Sequence, residues 1–83
     1  MSALPAASIL ADLDLLAVML SHRDCSEARY QVTALAAALR ADVVTPSDFD
    51  RVDSALRAIT HDASRLAALV VWRDVWTPAG GGR

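Results

Sequence analysis

Eighty-three residues, 54% of them hydrophobic and 22% charged, with a formal net charge of -2, describe one small soluble domain spanning residues 1–83. The apolar share is too high for a disordered chain, and the length is too short for two cores. Surface scaling lets such a chain hide only about 63% of its extended surface. Seventeen of its hydrophobic residues are Ala, which adds little apolar area, so a lone monomer is marginal. All eight basic residues are Arg, spread from Arg23 to Arg83 without a run, which leaves no electrostatic footprint for nucleic acid. The single cysteine, Cys25, excludes an internal disulfide framework and fits a reducing compartment. No basic segment precedes the first apolar stretch, and Asp12 and Asp14 interrupt it. The expectation is therefore a cytoplasmic protein with no signal peptide, no membrane span and no membrane partner. Abundant Ala, Arg and Asp without Lys point to a GC-rich bacterial genome.

The first helix is read over about 6–20, where Ile9, Leu13, Leu16 and Leu20 recur at spacings of four, three and four. Leu15, Val18 and Met19 fall on the opposite side, so this helix is apolar on two faces, and its second face suits another molecule. Asp24 and Glu27 have the spacing of a capping box, which starts a second helix near Cys25 and carries it to about residue 41. Its inner stripe is Ala28, Val32, Leu35 and Leu39, with Ala34, Ala37, Ala38 and Ala41 behind it.

Thr45-Pro46-Ser47-Asp48 is the clearest local signal, a Thr N-cap followed by Pro at the first helical position and an acid at the third. From Pro46, the residues Phe49, Val52, Leu56, Ile59, Ala63, Leu66 and Val70 keep one phase through Thr60 and His61. That phase predicts one continuous helix over about 46–76, roughly 45 Å long. Residues 77–83, rich in Gly and Pro, read as a flexible tail. The expected fold is all-α: an antiparallel hairpin of the second and third helices plus the N-terminal helix.

Beyond the reach of the second helix, Leu69, Trp72 and Trp76 make a second apolar stripe, with Val75 in the angle between the two. Either the first helix folds back over it, or a partner binds it. Trp is enriched at interface hot spots, which favours a partner-binding set of Leu69, Trp72, Val75, Trp76, Leu15, Val18 and Met19. His22, Cys25 and His61 are the soft metal-ligand types present, but no fourth ligand accompanies them, so neither metal nor cofactor is expected. Asp48, Asp50 and Asp53 suit the positive end of a helix dipole, and they lack the Gly and terminal Glu of a calcium loop. No pair of ionisable side chains forms a catalytic constellation, and the chain reads as a non-enzyme.

An Ala/Leu-rich helix ending at Leu39, the turn Thr45-Pro46-x-x-Phe49, then Leu56-x-Ala58-Ile59, Ala63, Leu66 and Leu69-Val70-Val71-Trp72-Arg73 together resemble the small needle co-chaperones of bacterial type III secretion systems. The resemblance covers about residues 27–73, with one residue near Thr60 to Asp62 standing as an insertion. It implies a cytosolic protein that pairs with a helical-repeat chaperone to keep a needle subunit soluble before export, with Leu69, Trp72 and Trp76 docking on the chaperone. Two other readings share the same apolar surfaces: a phage- or plasmid-encoded inhibitor acting by occlusion, and a self-assembling homo-oligomer.

Overall fold

A computed structural model describes residues 6–76, and all its regular elements are helical. Four α-helices follow in order: α1 over Ala6–Met19, α2 over Ser26–Arg40, α3 over Pro46–Arg57 and α4 over Asp62–Val75, with a 3₁₀ turn at Arg23–Cys25 before α2. Residues 77–83, read above as a tail, lie outside the described residues. No helix among those described is long and apolar enough to cross a membrane.

The 3.6-residue period places each inner stripe. Leu13, Leu16 and Leu20 of the first stripe are buried, as are Ala28, Val32 and Leu35 of the second and Val52, Leu56 and Ile59 of the third. Successive helices pack on one another, and α4 closes the ring against α1.

The connections show why each helix stops. After α2, Asp42 takes a left-handed φ of 59°. The Val43 N–H then bonds the Ala38 carbonyl at 3.0 Å and the Asp42 N–H bonds that of Leu39 at 3.2 Å, the paired bonds of a Schellman cap. The start of α2 departs from the capping box: Asp24 lies inside the 3₁₀ turn, and Glu27 accepts from Gln31 Nε2 at 2.8 Å instead. The start of α3 follows its sequence signal. The Asp48 carboxylate accepts from the Thr45 N–H at 2.8 Å, and Arg51 binds its other oxygen at 2.6 Å.

The expected thirty-residue third helix is two helices. Ala58 to His61 break it, with the Ala58 N–H shared between the Ser54 and Ala55 carbonyls and the Ile59 N–H on the Leu56 carbonyl. His61 caps α4, its Nδ1 accepting from the Ser64 N–H at 3.2 Å. Arg65 then reaches back, donating from Nη1 to the Ile59 carbonyl at 2.9 Å. The physical reason lies on α4. A straight extension would bury Ala63, Leu66 and Val70 and leave Trp72 outside, whereas the break turns α4 so that Ala68, Trp72 and Val75 enter the core.

Trp72 is 2% exposed. Its Nε1–H donates to Asp53 Oδ1 on α3 at 3.1 Å, and Asp53 Oδ2 accepts from Arg57 at 3.0 Å. Phe49 and Trp76 complete an aromatic cluster, with ring centroids 6.3 Å apart for Phe49 and Trp72 and 6.1 Å apart for Trp72 and Trp76.

Two outcomes follow from this packing. Trp72→Ala removes the largest core side chain and leaves Asp53 Oδ1 without its donor. It should cost about 3–5 kcal/mol, enough to collapse the helical signal in far-UV circular dichroism, and unchanged helicity would place the ring outside the core. The Thr45 N–H, with help from Arg51, holds the Asp48 carboxyl below its ordinary 3.8. A depressed carboxylate stabilises the fold above its unfolded value and loses that contribution as the pH falls through its folded value. Asp48→Asn should therefore flatten the fall of the thermal midpoint below about pH 4 and leave its pH dependence near neutrality unchanged.

Candidate protein-docking surface

The same turn of α4 that buries Trp72 decides what remains outside. At 100° per residue, Leu66 and Val70 stand opposite Ala68, Trp72 and Val75, and they are 60% and 61% exposed. On α1 the side opposite Leu13, Leu16 and Leu20 carries Ala11, Leu15 and Val18, with Leu15 48% and Val18 73% exposed. Each of these helices thus presents an aliphatic outer ridge.

The two helices pack on each other along one seam. Arg65 bonds Ile59, Trp72 bonds Asp53 and Trp76 stacks on Phe49, so that flank of α4 faces α3. The opposite flank, with Ala63, Ala67 and Val70 at its outer edge, lies towards α1. On α1, Asp14 pairs with Arg40 of α2 at 3.7 Å, which leaves Leu15 and Met19 on the flank towards α4. His22 just after α1 stacks on His61 just before α4, so the two helices run antiparallel along the seam. Between the ridges the α4 side is lined by the exposed alanines Ala63 and Ala67. Two carboxylates share this seam, half-buried Asp12 beside Met19 on the α1 side and exposed Asp74 near Ala67 and Val70 on the α4 side, while Asp14 stands on the other flank of α1.

Measured against the residues expected to bind a partner, the structure divides them. Leu15 and Val18 face solvent, and Met19 is half-buried beside them. Trp72 and Val75 belong to the core, and Leu69 and Trp76 are half-buried against it, so the aromatic stripe is an inner surface. This corrects its reading as a docking face, for the reason already given: the fold buries the stripe with the larger rings. Leu66 and Val70, read from sequence as core, replace it outside. The signal that would have found them is size, since only one of the two competing stripes carries tryptophan.

Other chemistry-bearing residues are accounted for. Cys25 is free and fully buried, which withholds its thiol from solvent. His22 and His61 do meet, but as stacked rings whose in-plane lone pairs run side by side, and no group of three His, Cys, Asp or Glu among the described residues could hold a metal ion. A groove open to solvent between α2 and α3 is lined by Glu27, Asp50, Arg51, Ser54 and Ala55. Asp50 there is exposed, and Arg51 is spent on Asp48. Every buried side-chain nitrogen and oxygen among the described residues has a hydrogen-bond partner.

Compared with known proteins, the chain matches no family model, no curated protein and no solved structure.

Proposed function

We propose that this chain is a non-enzymatic protein-binding module, a cytosolic co-chaperone that pairs with a helical-repeat chaperone to hold a type III secretion needle subunit soluble. In this reading it docks through the outer ridges of α1 and α4. The observation that carries it is the exposure of Leu15, Val18, Leu66 and Val70 on two helices that pack on each other, in a chain whose inner stripes are already filled. Neighbouring helix axes lie about 8–10 Å apart. Where the outer faces of α1 and α4 adjoin, Leu15 and Val70 flank the small Ala63 and Ala67, a surface on which an amphipathic helix lays its apolar face. A helical-repeat protein supplies such helices in an array.

The Trp72 anchor implied by the family resemblance has no part in this version of the docking. The aliphatic ridges take its place, and the partner class stays the same.

The test is capture of the tagged protein from its host's extract with mass spectrometry of what is retained, using Leu66→Asp and Val70→Asp as controls. Both positions are exposed, so each variant should keep its folding free energy within about 0.5 kcal/mol. Recovery of a helical-repeat chaperone or a needle subunit, lost in both variants, is the expected result. Recovery of the chain alone, migrating as an oligomer that Val70→Asp dissociates, would overturn the co-chaperone reading in favour of self-assembly.

A further inference from the structure

The four helices make two hairpins, α1–α2 and α3–α4, whose buried positions correspond in register. Leu13 and Leu20 of the first match Val52 and Ile59 of the second, and Ala28, Val32 and Leu35 match Ala68, Trp72 and Val75. Exchanging the hairpins carries the α2–α3 seam onto the α4–α1 seam, so one chain holds two comparable surfaces. The α2–α3 seam is open to solvent and polar, lined by Glu27, Asp50, Arg51 and Ser54 beside Ala55. The residues that match those four polar ones on the α4–α1 seam are Ala67, Ala11, Asp12 and Leu15. Three polar positions are thus apolar, and the fourth exchanges a cation for a carboxylate. A seam that stays in water needs no such change, as its polar counterpart shows.

We propose that the α1–α4 face receives a partner's amphipathic helix whose aliphatic stripe ends in Arg or Lys side chains, with Asp12 and Asp74 as their acceptors. This deepens the docking reading above and rests on it. Elsewhere the helical aspartates are answered within the chain. Asp48, Asp53 and Asp62 each have an Arg three or four residues on, and Asp14 has Arg40 of α2. At those spacings Asp12 has Ser8, Ile9, Leu15 and Leu16, and Asp74 has Val70 and Val71 before it. No cation among the described residues lies within 4 Å of either carboxylate. Arg73 stands on the flank of α4 towards α3, and Arg51, the counterpart of Asp12, is bound to Asp48. Asp50 is exposed in the open α2–α3 groove and keeps its water.

Covering the aliphatic residues changes the surroundings of both carboxylates. Asp12 is already half-buried, and a helix laid over Leu15 and Val70 takes water from it and from Asp74. A carboxylate dehydrated without a counter-charge is costly, so a helix that brings no cation is rejected. Arg meets a carboxylate with two parallel N–H donors, and Lys meets it as a point charge. Position sets direction. From the end of the seam marked by the stacked His22 and His61, Asp12 lies about 15 Å along and Asp74 about 20 Å along. The cations therefore belong at one end of the partner's stripe. The aliphatic contact supplies adhesion, and the charge pairs select which helix is accepted and which way it runs. The same carboxylates repel an anionic lipid surface, which disfavours a membrane as the occupant.

The test uses the full chain and two synthetic dye-labelled helices that share one Leu/Ala stripe, ended by a pair of Arg in one and a pair of Glu in the other. Binding is read by fluorescence anisotropy. The Arg-ended peptide should bind wild type at least about tenfold more tightly than the Glu-ended one, and Asp12→Asn/Asp74→Asn should bring the two within about threefold. Asp42→Asn/Asp50→Asn makes the same change in net charge on the α2–α3 side and should leave the preference in place. Equal affinities of wild type for the two peptides, both lost in Leu15→Ser/Val70→Ser, would overturn the cationic partner and leave the docking face standing. A preference that survives Asp12→Asn/Asp74→Asn, or falls as much in Asp42→Asn/Asp50→Asn, would overturn the role of these two carboxylates. Failure of the Arg-ended peptide to bind would overturn the proposal, and the capture experiment judges the docking reading independently.

Discussion

The hydrogen bond from Trp72 to Asp53 governs the architecture. An indole that enters a core brings an N–H needing an acceptor, and Asp53 on α3 provides one at 3.1 Å. Asp53 can do so only if α4 runs back alongside α3, because a straight continuation carries Trp72 away from it. Arg57 holds the other Asp53 oxygen, so the carboxylate that meets the indole is oriented and its charge is answered within α3 itself. Once α4 lies on α3 by this flank, its opposite flank is left for α1, and the four-helix ring closes.

The break that permits this costs little in hydrogen bonding. Ala58 shares its N–H between an α-type and a 3₁₀-type partner, Ile59 keeps a 3₁₀-type one, His61 takes up an amide at the start of α4, and Arg65 takes the Ile59 carbonyl. Against this modest loss stands the burial of an aromatic side chain of some 150–250 Å², which at about 25 cal/mol per Å² contributes several kcal/mol. In a chain that can hide only about 63% of its surface, that term decides the geometry of the second half.

The same balance explains what was legible in the sequence. Wherever one stripe was plainly the more apolar, as with Leu13, Leu16 and Leu20 or Val32 and Leu35, periodicity named the core, and Thr45-Pro46-Ser47-Asp48 placed the start of α3. The reading failed at Thr60 to His61 because the Phe49 stripe continues in phase into Ala63, Leu66 and Val70, and phase alone carries no information about size. Weighing Trp72 against Leu66 would have reversed the assignment and turned the overhang into a helix folded back. The cap at Asp42 was hidden because Asp adopts a left-handed φ without advertising it as Gly would. The contact between His22 and His61 depends on both corners having formed, so no local pattern could carry it.

The fold and the proposed docking draw on one limited supply of apolar surface, and the allocation says what kind of interface remains. α1 and α4 are each apolar on two sides, and a ring of four short helices can enclose only one side of each. The enclosed sides took the rings, Trp72 with Phe49 and Trp76 around it, where Asp53 could satisfy the indole. The sides left over hold aliphatic residues and alanines. A surface of that composition lacks the deep aromatic anchors that concentrate binding energy at one or two positions, so affinity for a partner must come from shape over the whole length of the seam. An extended aliphatic surface rewards an equally long apolar ridge. A partner helix laid on it also covers the part of the molecule that the chain cannot cover for itself, so occupancy and stability rise together by mass action.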